Sequence, residues 1–123
     1  MAELHGFRDL RVWQDAMKLA VDVVKLADKL PRQELHGLSL QIRRSAVSVP
    51  SNIAEGWGRK RDKEFCYFID IAYGSLCEVE TQLELALRCY GMEINDIIIQ
   101  CNGIQKQLRA LRKKIEERVQ GKG

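Results

Sequence analysis

The sequence predicts an all-α protein, an up-down-up-down antiparallel four-helix bundle. Three observations carry that prediction. Apolar residues recur at alternating steps of three and four through most of the chain, the spacing of a helix face that packs on other helices. Only two prolines and 7% aromatic residues argue against an all-β or a disordered chain. The breaks between periodic segments are short, so successive helices become antiparallel neighbours. At 123 residues the chain is one domain, 1–123, with flexible ends expected at 1–7 and 120–123.

The first helix is placed at about 9–30, with Asp9 as its N-cap. Its apolar positions include Leu10, Val12, Trp13, Ala16, Met17, Leu19, Val23, Val24, Leu26 and Leu30. A helix packed only inside its own monomer would need about half of so wide a stripe. Pro31 ends it, and residues 32–37 form a short connection or a frayed start to the second helix, placed at about 34–56.

That second helix carries the most unusual stretch, residues 42–61. Ile42, Val49, Ile53 and Trp57 mark a core face, whereas Arg44, Ser45, Ser48, Ser51, Asn52 and Glu55 mark another. Short Ser and Asn side chains let another backbone come close, where a plain solvated face would carry long Lys and Glu chains. Pro50 removes a backbone donor and strands the Ala46 carbonyl, which predicts a kink. Gly56 and Gly58 are expected to stop the helix. The plain alternative is a kinked core helix followed by an ordinary loop.

The third helix is placed at about 63–90, capped by Asp62. Phe65, Ile69, Ala72, Leu76, Val79, Leu83, Ala86 and Tyr90 form an unbroken heptad seam. A second face, Tyr67, Ile71, Gly74, Glu78, Thr81 and Leu85, is half apolar and would be exposed on a monomer. Gly74 and Ser75 cost up to about 1 kcal/mol of helix propensity, easiest to explain if something packs there. Together with the wide first stripe, this predicts homo-oligomerisation. Gly91 suits the C′ position. The fourth helix is placed at about 94–119, with Asn95 as cap and Ile94, Ile97, Cys101, Ile104, Leu108, Leu111 and Ile115 as seam.

The run Arg43-Arg44-Ser45-Ala46-Val47-Ser48-Val49-Pro50-Ser51-Asn52-Ile53-Ala54-Glu55-Gly56 resembles the signature of the four-helix-bundle proteins encoded within intervening sequences of bacterial 23S ribosomal RNA genes. Phe7-Arg8-Asp9-Leu10 with Val12-Trp13, and Glu64-Phe65, Ala72, Gly74-Ser75-Leu76 and Glu78-Val79-Glu80, extend the resemblance over about residues 7–90. It implies a small cytoplasmic bundle that assembles as a ring, typically a pentamer. A related branch of that family accompanies the reverse transcriptases of diversity-generating retroelements and binds both the transcriptase and nucleic acid. A nucleic-acid partner, RNA or DNA, and a reverse transcriptase or other protein partner are thus implied.

Chemistry is scarce. His5 and His36 fall in an arm and a connection, without a carboxylate or thiol partner at helical spacing. Arg32 to His36 is one residue short of the spacing used by small helical-bundle ribonucleases. There is no phosphate loop and no Glu-x-x-His pair. The four cysteines, Cys66, Cys77, Cys89 and Cys101, do not fall as Cys-x-x-Cys and read as buried or half-buried free thiols of a reducing cytoplasm. No secretory signal, membrane span, metal site, cofactor or catalytic residue is expected.

The remaining signal is basic. Although the net charge is only +3, an antiparallel bundle brings the turn after the second helix and the end of the fourth helix to one end. Arg59, Lys60, Arg61 and Lys63 then join Lys113, Lys114 and Arg118 on one rim, with Arg43 and Arg44 about four turns back along the second helix. These nine residues are the candidate nucleic-acid contacts. Ser45, Ser48, Ser51, Asn52, Tyr67, Ile71 and Gly74 are the candidate subunit interface. The expectation is a non-enzymatic oligomer that binds nucleic acid non-specifically through the rim. The alternative is a structural or protein-interaction module for which nucleic acid is irrelevant.

Overall fold

The heptad seams become the core. A computed structural model describes residues 5–122, with the backbone alone at Lys122; residues 1–4 and 123, parts of the expected flexible ends, lie outside the described residues. Four helices follow in order: α1 Arg11–Ala27, α2 Leu38–Gly58, α3 Asp62–Tyr90 and α4 Asn95–Lys122. Leu19, Ile42, Ile53, Leu76, Val79, Leu83 and Leu108 are fully buried where they converge. No helix among the described residues is long and apolar enough to cross a membrane.

The direction of packing is read from paired side chains. Along α4, Gln105 donates to Glu80, Arg109 to the Tyr73 hydroxyl, Arg112 to Asp70 and Arg118 to Asp62, so α4 advances as α3 retreats. Gln100 meets Asp22 and Gln107 meets Asp15 in the same opposed sense between α4 and α1. Ser48 meets Ser75 between α2 and α3. Ser39 donates to the Ala27 carbonyl where α1 hands over to α2. The bundle is therefore antiparallel throughout, as the short connections predict.

The helix ends depart from expectation in instructive ways. Asp9 does not cap α1. It lies in a 3-10 turn, Phe7–Asp9, and its carboxylate accepts the His5 N–H at 2.8 Å. Leu10 occupies the cap position instead, because Phe7 folds back edge-on to Trp13 at 5.2 Å. The arm is thus fixed from Phe7 onward. α1 stops at Ala27, three residues before Leu30: Pro31 has no N–H to give the Ala27 carbonyl, which takes the Leu30 N–H at 3.2 Å in a tightened turn instead. A second 3-10 turn, Arg32–Glu34, precedes α2, which begins at Leu38 rather than near residue 34. There Glu34 accepts the Tyr90 hydroxyl and, at 3.1 Å, the Leu38 N–H, and these two donors hold its carboxylate below the usual range.

Asp62 is the first residue of α3, not its cap, and Asn95 is the first of α4, where Glu93 accepts its N–H at 3.0 Å. At its other end α4 continues through Gly121 and Lys122, past the expected stop at 119. Gly91 does close α3, at φ 66, with the Met92 N–H reaching back to the Ala86 carbonyl. α2 runs unbroken through the buried Pro50.

Two cysteines correct the expectation that all are at least half buried. Cys66 and Cys101 are buried, but Cys77 and Cys89 are exposed. Burial pushes the Cys101 thiol up to about 12 and raises Cys66 as well. Because the raised value favours the neutral thiol in the folded state, stability from Cys101 is fully present below its ordinary value of 9.0 and is lost as pH climbs through about 12. Cys66 and Cys101 are expected to resist a thiol reagent at pH 8 until the chain unfolds, while Cys89 reacts at once. Mass spectrometry of the trapped adducts checks this, and rapid native labelling of Cys101 would contradict it.

Candidate nucleic-acid interface

The basic end is built by a helix stop of unusual composition. Gly56 does not end α2; it is buried within it, and an added Cβ would stand 2.8 Å from the Phe68 Cβ and 2.9 Å from Phe65 Cδ1. Gly58 is the last helical residue. The chain turns at Lys60, which takes φ 64, a left-handed conformation at a site where glycine is the usual choice. A non-glycine residue there costs roughly 1 kcal/mol. Arg61 returns to extended backbone, and Asp62 opens α3.

Antiparallel packing then brings α4 to this turn. The Arg118 guanidinium donates to both Asp62 oxygens, at 2.7 and 3.2 Å. That clamp ties the end of α4 to the start of α3 and keeps Arg118 firmly protonated. Around it, Arg59, Lys60, Arg61, Lys63, Lys113 and Lys114 are all exposed. Arg59 lies 3.8 Å from Glu55 with its guanidinium over the Phe68 ring, and Arg61 lies 3.7 Å from Glu64. Such exposed pairs are worth about 0–1 kcal/mol and yield readily to a phosphate. Segments 59–63 and 113–118 together carry seven cations against three acids, whereas the whole chain is only +3. The excess positive charge therefore sits at this end.

Two of the nine candidates lie apart from it. Arg43 pairs with Asp28 and with the Ser39 hydroxyl at the opposite end of the bundle, where α1 meets α2. Arg44 is exposed beside it, about 22 Å from Arg59 at 1.5 Å of rise per residue.

The stripe of small residues has an internal use. Ser48 and Ser75 hydroxyls hydrogen-bond at 2.8 Å, Asn52 donates to the Ser48 carbonyl and hydroxyl, and Ser45 donates to the Gln41 carbonyl. The backbone that comes close to Ser48 is that of α3 in the same chain. Ser51 is exposed, as are Tyr67 and Gly74, and Ile71 is half-buried. Among the described residues, nothing outside its own stretch of helix comes within 4 Å of a Cβ placed on Gly74.

What the periodicity signalled without locating is a groove of about 610 Å³ along the outer faces of α1 and α2. Trp13, Met17, Val21, Val24, Val47 and Pro50 line it. Val21 and Val47 are about half exposed there, at 48% and 50%. Lys60 and Asp62 also have roles that sequence reasoning missed; the one visible signal was a basic turn lacking glycine at its reversal. Among the described residues no group of three or more His, Cys, Asp or Glu side chains is placed to hold a metal ion.

Comparison with known proteins adds two findings. A family model, described as 23S rRNA-intervening sequence protein, matches residues 8–115. The chain also resembles the crystal structure of a protein with unknown function from the S23 ribosomal protein family of Bacteroides thetaiotaomicron VPI-5482. The two share 27% identity at a TM-score of 0.76, over 83% of this chain and 98% of that one. No curated protein matches the chain.

Proposed function

The chain belongs to the 23S rRNA-intervening sequence protein family, and from that membership and its basic end we propose a non-enzymatic, homo-oligomeric accessory protein that binds nucleic acid without sequence preference. The observation that carries this reading is the concentration of seven cations in segments 59–63 and 113–118 of a chain that is otherwise close to neutral. Lys and Arg that neutralise phosphates release condensed counterions, so affinity arises without any base being read. In a ring of copies, a pentamer as the resemblance implies, each rim repeats around the axis. Weak contacts then act together.

The α1/α2 groove supports the oligomer. Its exposed Met17, Val21 and Val47 form an apolar surface that a neighbouring subunit would cover. The same groove favours the second reading, a protein-interaction module, in which a partner protein such as a reverse transcriptase occupies it. We place this assembly in the cytoplasm.

The test is fluorescence anisotropy of a labelled duplex, with the mass of the protein measured by light scattering in the same buffer. The expected result is a multimer whose affinity falls steeply between about 50 and 200 mM salt. An intact multimer that binds no duplex at low salt would move the function to the protein-interaction reading.

A further inference from the structure

At the inner edge of the rim lies a recess of about 240 Å³, set where α2 ends, α3 begins and α4 ends. Drug-sized ligands fill roughly 300–1,000 Å³, so this one is suited to something smaller. One wall is the indole of Trp57, which is only half-buried. The Phe65 ring meets it edge-on, at 6.3 Å between centroids and 89° between planes, and so fixes its orientation. Lys60, Arg61 and Asp62 also line it, with the Lys60 ammonium 6.0 Å from the Trp57 ring centroid. Arg118 also lines the recess, but its fork is committed to Asp62.

A flat aromatic wall held rigid by a second ring, with two exposed cations beside it, is the chemistry that receives a planar base attached to a phosphate. A duplex cannot present a base this way, because its bases are stacked and paired; an unpaired strand can. Lys60 adds a second, independent observation. It holds a left-handed backbone that glycine would occupy without strain, and its side chain stands over the Trp57 ring. That a lysine holds this conformation beside the recess points to a use for its side chain.

We propose that this recess binds one unpaired base of a single-stranded nucleic acid, stacked on the Trp57 face that the Lys60 ammonium now covers, with the displaced Lys60 and Arg61 on its phosphate. The proposal rests on the reading of the rim as a nucleic-acid surface and adds to it a preference for unpaired strands.

A Trp13→Phe variant leaves Trp57 as the only tryptophan, and its emission reports on the recess directly. The probes are oligothymidylate, oligouridylate and a DNA hairpin of matched length, at one salt concentration. Either single strand is expected to quench Trp57 and to bind about tenfold more tightly than the hairpin. Trp57→Leu, which keeps an apolar cap on the core, should lose about that tenfold for the single strands and leave hairpin affinity unchanged. Lys60→Gly should weaken every probe while the melting temperature stays level or rises, so its loss of binding is not a loss of fold. Equal affinity for strands and hairpin with no quenching would overturn the site and leave the rim reading standing. Failure of all three probes to bind would overturn both.

Discussion

Gly56→Val is expected to destabilise the bundle strongly. Glycine in the interior of a helix costs about 0.5–1 kcal/mol relative to alanine, so its use in α2 calls for a reason. The reason is the contact with α3: a Cβ at 56 would lie 2.8 Å from the Phe68 Cβ and 2.9 Å from Phe65 Cδ1. The Phe65 ring can rotate away. The Phe68 Cβ cannot move without moving α3, and α3 is held to α2 by the Ser48–Ser75 bond at 2.8 Å. Overpacking of this kind costs about 1–3 kcal/mol. Taking about 3 kcal/mol for the Cβ and two methyls that valine adds, the melting temperature should fall by roughly 10–15 °C. Gly103→Ala is the matched comparison, since among the described residues nothing beyond its own helix lies within 4 Å of the added Cβ and helix propensity alone should raise stability. Thermal melts followed by circular dichroism check both. An unchanged melt for Gly56→Val would mean that α2 and α3 pack less closely than described.

Reversing Arg59, Lys60 and Arg61 together to Glu is expected to lower duplex affinity at least about 100-fold at low salt, or about 2.7 kcal/mol. The three residues lie on one turn and are all exposed, so under the proposed function each would contact a phosphate. Losing three such contacts should also flatten the slope of log affinity against log salt by about 2.7. The fold should survive. Arg59 gives up a half-exposed pair with Glu55 and Arg61 an exposed one with Glu64, each worth under about 1 kcal/mol. The clamp between Arg118 and Asp62 is untouched.

Sequence reasoning reached the helices and their packing because those depend on near neighbours and repeating spacing. The seam of Leu76, Val79 and Leu83 could be read from steps of three and four, and it is fully buried. The juxtaposition of the 59–61 turn with the end of α4 followed from topology alone, and the Arg118–Asp62 pair, 56 residues apart, realises it. What was not legible depends on contacts between distant residues. Ser48 looked free to meet another subunit because its partner, Ser75, lies 27 residues away. Arg43 looked like part of a basic surface because Asp28, which holds it, belongs to the end of α1. Gly56 looked like a helix stop, since a close approach to Phe68 leaves no mark in local composition. Asp9 looked like a cap because the folding back of Phe7 onto Trp13 sets the entry to α1, and cap propensity does not.

If position on the bundle, rather than net charge, makes the rim a nucleic-acid surface, equal charge changes at its two ends must have unequal effects. Two triple variants separate the two. One reverses Arg59, Lys60 and Arg61 to Glu; the other reverses Lys29, Arg32 and Arg88, exposed residues at the opposite end. Each reversal shifts the charge by two, so either triple takes the chain from +3 to −3. Anisotropy of one labelled duplex against both proteins, at one low salt concentration, is the deciding measurement. The rim variant should lose at least about 100-fold, and the opposite-end variant no more than about tenfold from the long-range field. Equal losses would mean that overall charge alone drives binding and that the rim is only a solvated end.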